Sequence, residues 1–436
     1  MAEETPGKAE VNQDEGVPFE EDRPVKSSVS IIKGIETKDL KLKPQIALFR
    51  QLIENHYQQS LRLNEMTGKP EYFDRLEKEW REWADAQDSQ LRAYFQSVYG
   101  LYSPKMLDDA LSLHFAAHRV NPLLQILDKL TWDGKPRVER FLHDVLKADD
   151  NEYVRECSRL IFAGGVHRAF RPGCKFDDMI VLIGDQGCGK SATVRFLNME
   201  DRFYKEIKTI SGKEGIEALS GMWIGEMSEL MAMTRVKESE AVKAYITTQT
   251  DSYRPPYGKH VVTVPRRCVF IGTTNNPQFL TDRTGNRRFY PVQCHSDGYE
   301  VLKHEDQIRE YVKQAWAEAV QMFREGKMQP FARHEVLEAI RQAQESAMED
   351  DWRIGAIEQY LKDMKRKAND TVSVIELWHM ALGEAEESKP GRADSIALSQ
   401  IMERQADWVK SDKRVNTRWG LQRVFIKYNP FFPAWK

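Results

Sequence analysis

Gly184-Asp185-Gln186-Gly187-Cys188-Gly189-Lys190-Ser191 fills every fixed position of the pattern G-x-x-x-x-G-K-[ST]. The chemistry this spacing serves is phosphate binding. The glycines let backbone N–H groups turn inward around an anion, which then sits at the positive end of the helix that follows. Lys190 is expected to reach the β- and γ-phosphates of a nucleotide, and the Ser191 hydroxyl to ligate Mg²⁺. ATP and Mg²⁺ are therefore the expected ligands.

Hydrolysis also needs an acid at the end of a neighbouring strand. Trp223-Ile224-Gly225-Glu226-Met227-Ser228-Glu229 supplies two. Glu226, at the strand end, is the better candidate for Mg²⁺ or its water shell, and Glu229 for polarising the attacking water, although the roles can be reversed or shared. A third apolar run ends in Thr273-Thr274-Asn275-Asn276-Pro277. An amide there, Asn275, can hold the lytic water against the γ-phosphate, whereas Asn-Asn-Pro is also ordinary turn chemistry. Arg287 and Arg288 follow in a loop. Two adjacent arginines suit a γ-phosphate contact that stabilises transition-state charge, and in a ring they would point at the neighbour's ATP. One of them can equally serve in a structural salt bridge.

These residues need a scaffold, and the hydrophobic pattern supplies one. Ile180-Val181-Leu182-Ile183 is a short all-apolar run bounded by Asp178 and Gly184, as a buried parallel strand requires. Met222–Gly225 and Cys268–Ile271 repeat the pattern, with helical stretches between them. The fold class is α/β with a parallel sheet over 179–344. A helical segment, 121–178, leads into it. Before that, 26–120 reads as a helical domain: Ile46, Leu48, Phe49, Leu52 and Ile53 form one apolar stripe, and Leu91, Tyr94, Phe95, Val98 and Tyr99 another. Residues 1–25 carry eight acidic residues against two basic ones and read as a disordered tail. After the core, 345–436 reads as a winged-helix-like domain: a strand near Thr371–Val374, two helices, and a hairpin over Val409–Tyr428 bearing Lys410, Lys413, Arg414, Arg418, Arg423 and Lys427.

Composition narrows the class. With 41% hydrophobic residues and ten Trp the chain can bury a substantial core. A net charge of −3 says little about partners. No run of 18 apolar residues occurs, so no membrane span is expected, and no signal peptide either. The five cysteines are scattered singly, with no C-x-x-C pair and no Cys/His spacing suited to zinc, as expected of reduced thiols in a cytoplasmic protein of a bacterial or phage-infected cell.

With these elements in order, the chain resembles the virulence-associated protein E family of phage and prophage primase-helicase modules, itself similar to superfamily 3 helicases within the AAA+ class. The resemblance covers roughly Asn121 to Lys327. It rests on Trp132-Asp133-Gly134-Lys135-Pro136-Arg137, Pro172–Asp177, the Gly184–Ser191 loop, Gly221–Leu230, Asp251–Gly258, Phe270–Asn276, Thr284–Phe289 and Gln314–Ala319. It implies a P-loop AAA+, superfamily 3 helicase-like core that assembles as a homo-hexamer. It also implies that a hairpin over Arg254–Val264 projects into the ring's pore, where Arg254, Tyr257, Lys259 and His260 would contact DNA. From Arg254 to Arg288 there are seven Lys/Arg and one acid, Asp282. A surface hairpin used for subunit contacts is the plainer reading of that segment. No primase-like cluster of carboxylates and zinc ligands is visible, so priming, if needed, would come from another chain, and a separate primase or loader is a possible partner.

The function expected is that of an ATP-dependent DNA helicase or replication initiator of a phage or mobile element. The competing class is a nucleotide-switched regulatory ATPase acting on a protein partner, because a phosphate loop alone does not fix function.

Overall fold

The computed structural model describes residues 43–228, 236–253, 261–280, 285–296, 298, 300–348, 351–363, 370–403 and 405–427. The acidic stretch 1–25 lies outside them. The chain divides into two compact units, residues 1–348 and 349–436.

The first unit opens with α1 (Ile46–Tyr57), followed by three strands, β1 (Leu61–Asn64), β2 (Lys69–Asp74) and β3 (Glu79–Glu82). Then come α2 (Asp85–Tyr99), α3 (Pro104–Ala117) and β4 (Arg119–Val120). The two apolar stripes meet as their spacing predicts: Phe49, Ile53, Leu91 and Phe95 share one cluster with Leu107 and Leu111. The segment is not all-helical, however. β3-β2-β1-β4 form a mixed four-stranded sheet. Its strands are too short to show a period, and their buried side chains include charged ones. Arg62 and Glu71 pair at 2.7 Å with both side chains buried, Asn64 donates to the same carboxylate at 2.6 Å, and Arg62 lies over the Trp80 ring. Buried polar side chains on a strand need such partners, and those partners lie on neighbouring strands.

Asn121 and Asn151 start the next helices by accepting backbone N–H bonds from Leu124 and Val154, the usual role of Asn at a helix N-cap. They begin α4 (Pro122–Leu127) and, after α5 (Phe141–Leu146), the long α6 (Glu152–Phe170). The central sheet follows: β5 (Met179–Ile183), α7 (Lys190–Leu197), β6 (Tyr204–Glu206), α8 (Gly212–Glu217), β7 (Ile224–Met227) and α9 (Val236–Thr247). An antiparallel pair, β8 (Thr250–Tyr253) and β9 (Val262–Pro265), precedes β10 (Val269–Thr274) and β11 (Phe289–Gln293), and α10 (Glu305–Arg324) and α11 (Leu337–Ser346) complete the unit.

The five strands stand in the order β11-β5-β10-β7-β6, and all four pairings are parallel. β5 is buried at every position because both faces are covered. Ile180 and Leu182 point into a cluster with Leu160, Phe162 and Trp316 from α6 and α10. Met179, Val181 and Ile183 point into a second cluster with Val242 and Ile246 of α9. Continuous apolar strands are what a parallel sheet covered on both sides demands. Close approach of α6 requires Gly165: a Cβ there would stand 2.4 Å from the Trp316 ring, and the Gly165 carbonyl accepts from Trp223 Nε1 at 3.0 Å.

The second unit contains α12 (Trp352–Asp363), β12 (Thr371–Ser373), α13 (Val374–Glu376) running on as a π-turn over Leu377–Ala381, and α14 (Arg392–Met402). A hairpin of β13 (Trp408–Thr417) and β14 (Gly420–Lys427) ends it. The sheet order is β12-β14-β13, over a core that includes Ile357, Leu377, Leu398 and Phe425. Among the described residues no helix is long and apolar enough to cross a membrane.

A buried ion network clamps α6 to the segment after α10. Glu156, fully buried, accepts from Arg159 at 2.6 and 2.9 Å and from the Arg333 backbone and side chain at 2.7 and 2.6 Å. Arg159 also donates to the Gln329 and Phe331 carbonyls. Burial alone would raise the Glu156 carboxyl, but Arg159 and Arg333 outweigh it and hold the carboxyl below its usual 4.5. The stability that depends on its ionised form is therefore complete above the carboxylate range and lost as pH falls through it. Glu156→Ala should cost about 3–5 kcal/mol near pH 7, because it strands buried Arg159. Urea titrations at several pH values should find the gap between wild type and Glu156→Gln narrowing on acidification; a gap independent of pH would contradict this.

Candidate functional site

β5 ends at Ile183, the Gly184–Gly189 loop turns, and α7 begins at Lys190. The turn depends on glycine. Gly189 has φ +93°, and a Cβ there would stand 2.3 Å from the Val301 side chain that lies against the loop. Above the loop opens a cleft of about 1030 Å³, lined by Gly187, Lys190, Ser191, Glu206, Thr273 and Asn275 among others. It lies at the carboxyl ends of β5, β10 and β7, where open parallel sheets hold their ligands.

Lys190 is buried and donates to four neutral acceptors: Gly184 O at 2.6 Å, Asp185 O at 2.9 Å, Asn275 Oδ1 at 3.0 Å and Cys188 Sγ at 3.6 Å. Among the described residues no carboxylate pairs with it. A buried ammonium held by neutral acceptors has its charge solvated but uncompensated, a favourable setting for an anion. Asn275 directly follows β10, whose Thr274 pairs with Ile183, so strand register alone brings the amide to the loop.

Glu226 lies on β7, 1% exposed, at the centre of three hydroxyl donors. Ser191 Oγ donates to Oε1 at 2.6 Å, Thr273 Oγ1 to the same oxygen at 2.7 Å, and Tyr204 OH to Oε2 at 2.5 Å. Burial and the Glu226 carboxylate both push the Tyr204 phenol upward, so Tyr204 stays a donor. The hydroxyls orient a carboxylate with which, among the described residues, no cation pairs. Glu206 stands level with Glu226 on the adjoining strand and accepts from Ser228.

The structure thus brings Lys190, Ser191, Glu226 and Asn275 together. Glu229 lies outside the described residues, as do Arg254, Tyr257, Lys259 and His260, although the strands flanking those last four, β8 and β9, form the two arms of an antiparallel pair. Arg287 and Arg288 do not join the site. They occupy the turn before β11, whose first residue, Phe289, pairs with Met179 at the start of β5, while the loop leaves from β5's other end. A strand length, roughly 15 Å, separates them from the loop of their own chain. Arg287 is exposed, and the Arg288 Nε is buried without a hydrogen-bond partner. The basic run between Arg254 and Arg288 is also less free than its count suggests. Arg266 is buried against Asp251 at 2.6 Å and over the Tyr245 ring, and Arg267 pairs with Glu65.

Tyr204, Glu206 and the Thr273 hydroxyl are site residues that the sequence reading does not single out. β6 has only three residues, and its place beside β7 is a tertiary fact. The usable signal was Thr273, one strand position before the Thr274-Asn275 tip.

The fold and the site define an α/β protein with a phosphate-type loop at the carboxyl edge of a parallel sheet. Residues 127–349, about half of the chain, match the model of the virulence-associated protein E-like domain, and the chain belongs to that family. No curated protein matches it. Among solved structures, the apo structure of the NrS-1 C terminal region (305-718) is 13% identical with a TM-score of 0.47, covering 84% of this chain and 96% of that one. The A form apo structure of the same region is 12% identical at the same TM-score and coverage. Likeness at that level carries no argument about this chain.

Gly189→Ala should destabilise the protein, through a disfavoured φ costing about 1–3 kcal/mol and through the collision with Val301. Adding Val301→Gly, which removes the Val301 Cγ atoms and the Cβ that stands 2.6 Å away, should recover only the collision. Denaturant titration of the two single variants and the double variant separates these parts; full recovery would mean that the backbone conformation costs nothing.

Proposed function

We propose that the chain is an ATP-driven DNA helicase or replication initiator of a phage or mobile element, built on a P-loop AAA+ core resembling superfamily 3 helicases. The observation that carries the reading is buried Lys190, held by neutral acceptors, beside the Ser191–Glu226 pair and Asn275. Phosphate oxygens of ATP would meet Lys190 and the inward N–H groups of the loop. The donor set also fits Mg²⁺: Ser191 and Glu226 offer hard oxygens 2.6 Å apart, and Glu206 and Thr273 offer more close by. When bound, Mg²⁺ supplies positive charge to the β- and γ-phosphoryl oxygens. Asn275 would orient the lytic water and Glu226 would accept its proton, with Glu229, which lies outside the described residues, as the other acid for that role.

The arginine pair gives the reading its quaternary half. Because Arg287 and Arg288 lie a strand length from their own loop, a phosphate contact from them must be made in a neighbouring subunit, as in a homo-hexameric ring. DNA would run past residues 254–260 between β8 and β9. The second unit, with its helices and basic hairpin, suits a winged-helix contact to DNA. Priming or loading would come from a separate protein.

Lys190→Ala should abolish ATP hydrolysis and weaken ATP binding, and Glu226→Gln should bind ATP but turn over slowly. In wild type, single-stranded or forked DNA should stimulate the ATPase rate severalfold. Turnover indifferent to every form of DNA would discard the helicase reading in favour of a nucleotide-switched ATPase acting on a protein partner. Normal turnover in Lys190→Ala would discard the site itself.

Trans action has its own test. Arg287→Ala/Arg288→Ala protein should bind nucleotide normally and be inactive alone, yet regain part of its activity when mixed with Lys190→Ala protein. Mixed oligomers without any rescue would contradict an intersubunit role.

A further inference from the structure

A second cluster of metal-ligating side chains lies in the N-terminal part of the first unit, outside residues 127–349. His114 and His118 fall at i and i+4 at the end of α3, so both rings stand on one helix face. The rings stack at 4.0 Å. Glu54, on α1, reaches across to both. Its Oε2 lies 3.1 Å from His114 Nδ1 and its Oε1 lies 3.2 Å from His118 Nε2. The ligating atoms of the three side chains all fall within 4.8 Å of one another.

His118 Nδ1 lies 2.9 Å from the His114 carbonyl and donates to it, which turns Nε2 toward Glu54. His114 is fully buried, and its Nε2 has no hydrogen-bond partner. Burial, and then His118, lower its basicity, while Glu54 and the Leu61 backbone act the other way. Glu54 accepts a hydrogen bond from whichever ring carries a proton on the nitrogen that faces it, and the same three side chains can instead offer one ligand atom each to a single cation.

We propose that Glu54, His114 and His118 form a binding site for a divalent transition ion of the Zn²⁺ type, which braces α1 against α3. Two imidazoles and one carboxylate are a donor set that Zn²⁺ favours over Mg²⁺ or Ca²⁺. The three ligating atoms lie within 4.8 Å of one another, against edges of about 3.3–3.4 Å in a tetrahedron with bonds of about 2.0–2.1 Å, so small rotations that part the stacked rings would close them on one ion. The His118 Nδ1 contact to a backbone carbonyl is the outer contact that orients ligating histidines. Glu54 is 39% and His118 25% exposed, so the ion can enter from solvent and water can take the fourth position. The brace has a mechanical consequence. The His118 carbonyl accepts from Leu63 of β1, and the turn after β1 is tied to the core where Gly221 N donates to Met66 O at 2.8 Å. Ordering α1 and α3 around an ion would stiffen the mount of this segment on the core.

The test uses the full chain stripped with a chelator and titrated with Co²⁺, then with Zn²⁺. Wild type should bind one equivalent of Co²⁺ with the intense visible bands of a four-coordinate site, and Zn²⁺ should bleach them and raise Tm. His118→Ala and Glu54→Gln, both at partly exposed positions, should lose the bands and the Tm rise while keeping the wild-type circular dichroism. Glu226→Gln should keep both signals, which separates this site from the cleft at Lys190. No bound equivalent in wild type, or undiminished bands in His118→Ala, would overturn the proposal and leave the cluster a proton-shared His–Glu pair.

Discussion

Burial of the five-stranded sheet on both faces is the constraint from which the rest follows. A parallel strand has no free face, so β5 must be apolar throughout, with alternate side chains entering the α6/α10 layer and the α9 layer. Parallel direction then delivers every carboxyl end to one edge. The loop after β5, the Thr273–Asn275 tip of β10 and Glu226 of β7 converge there because they share a sheet, although they lie far apart in the chain. The same direction carries Arg287 and Arg288, which precede β11, to the opposite edge.

Several charged groups that the core cannot avoid are held in ion pairs. Glu156 with Arg159 and Arg333, Asp251 with Arg266, and Arg62 with Glu71 each saturate a buried charge and each join elements distant in sequence. Such pairs add little net stability over apolar contacts, yet breaking one is costly, so they favour one arrangement over others. Asp251–Arg266 fixes the base of the β8/β9 pair in this way, and Arg267–Glu65 links the core to the N-terminal sheet.

The cleft does not follow that pattern. Lys190 meets neutral acceptors and Glu226 hydroxyls, with the two charges held apart rather than paired. Both are placed to meet a ligand of opposite sign. In the Glu54–His114–His118 cluster three groups able to ligate a metal lie within 4.8 Å of one another.

Much of this was legible in the residues themselves. The Gly184–Ser191 loop, the apolar runs that became β5, β7 and β10, and the acid and amide at their ends follow from local spacing, because loop and strand chemistry are written in adjacent residues. The stripes of α1 and α2 were legible for the same reason. The N-terminal sheet was not, since its short strands carry charged residues whose partners are cross-strand. Nor was the role of Tyr204, Glu206 or Thr273, which depends on β6 and β10 flanking β7 on its two sides. The separation of Arg287 and Arg288 from the loop of their own chain is a matter of strand direction and register. Only the packing of α1 on α3 could bring Glu54 to two histidines 60 residues and more away. Sequence determines which groups are available for chemistry at short range; pairing across the sheet and between helices decides which of them meet.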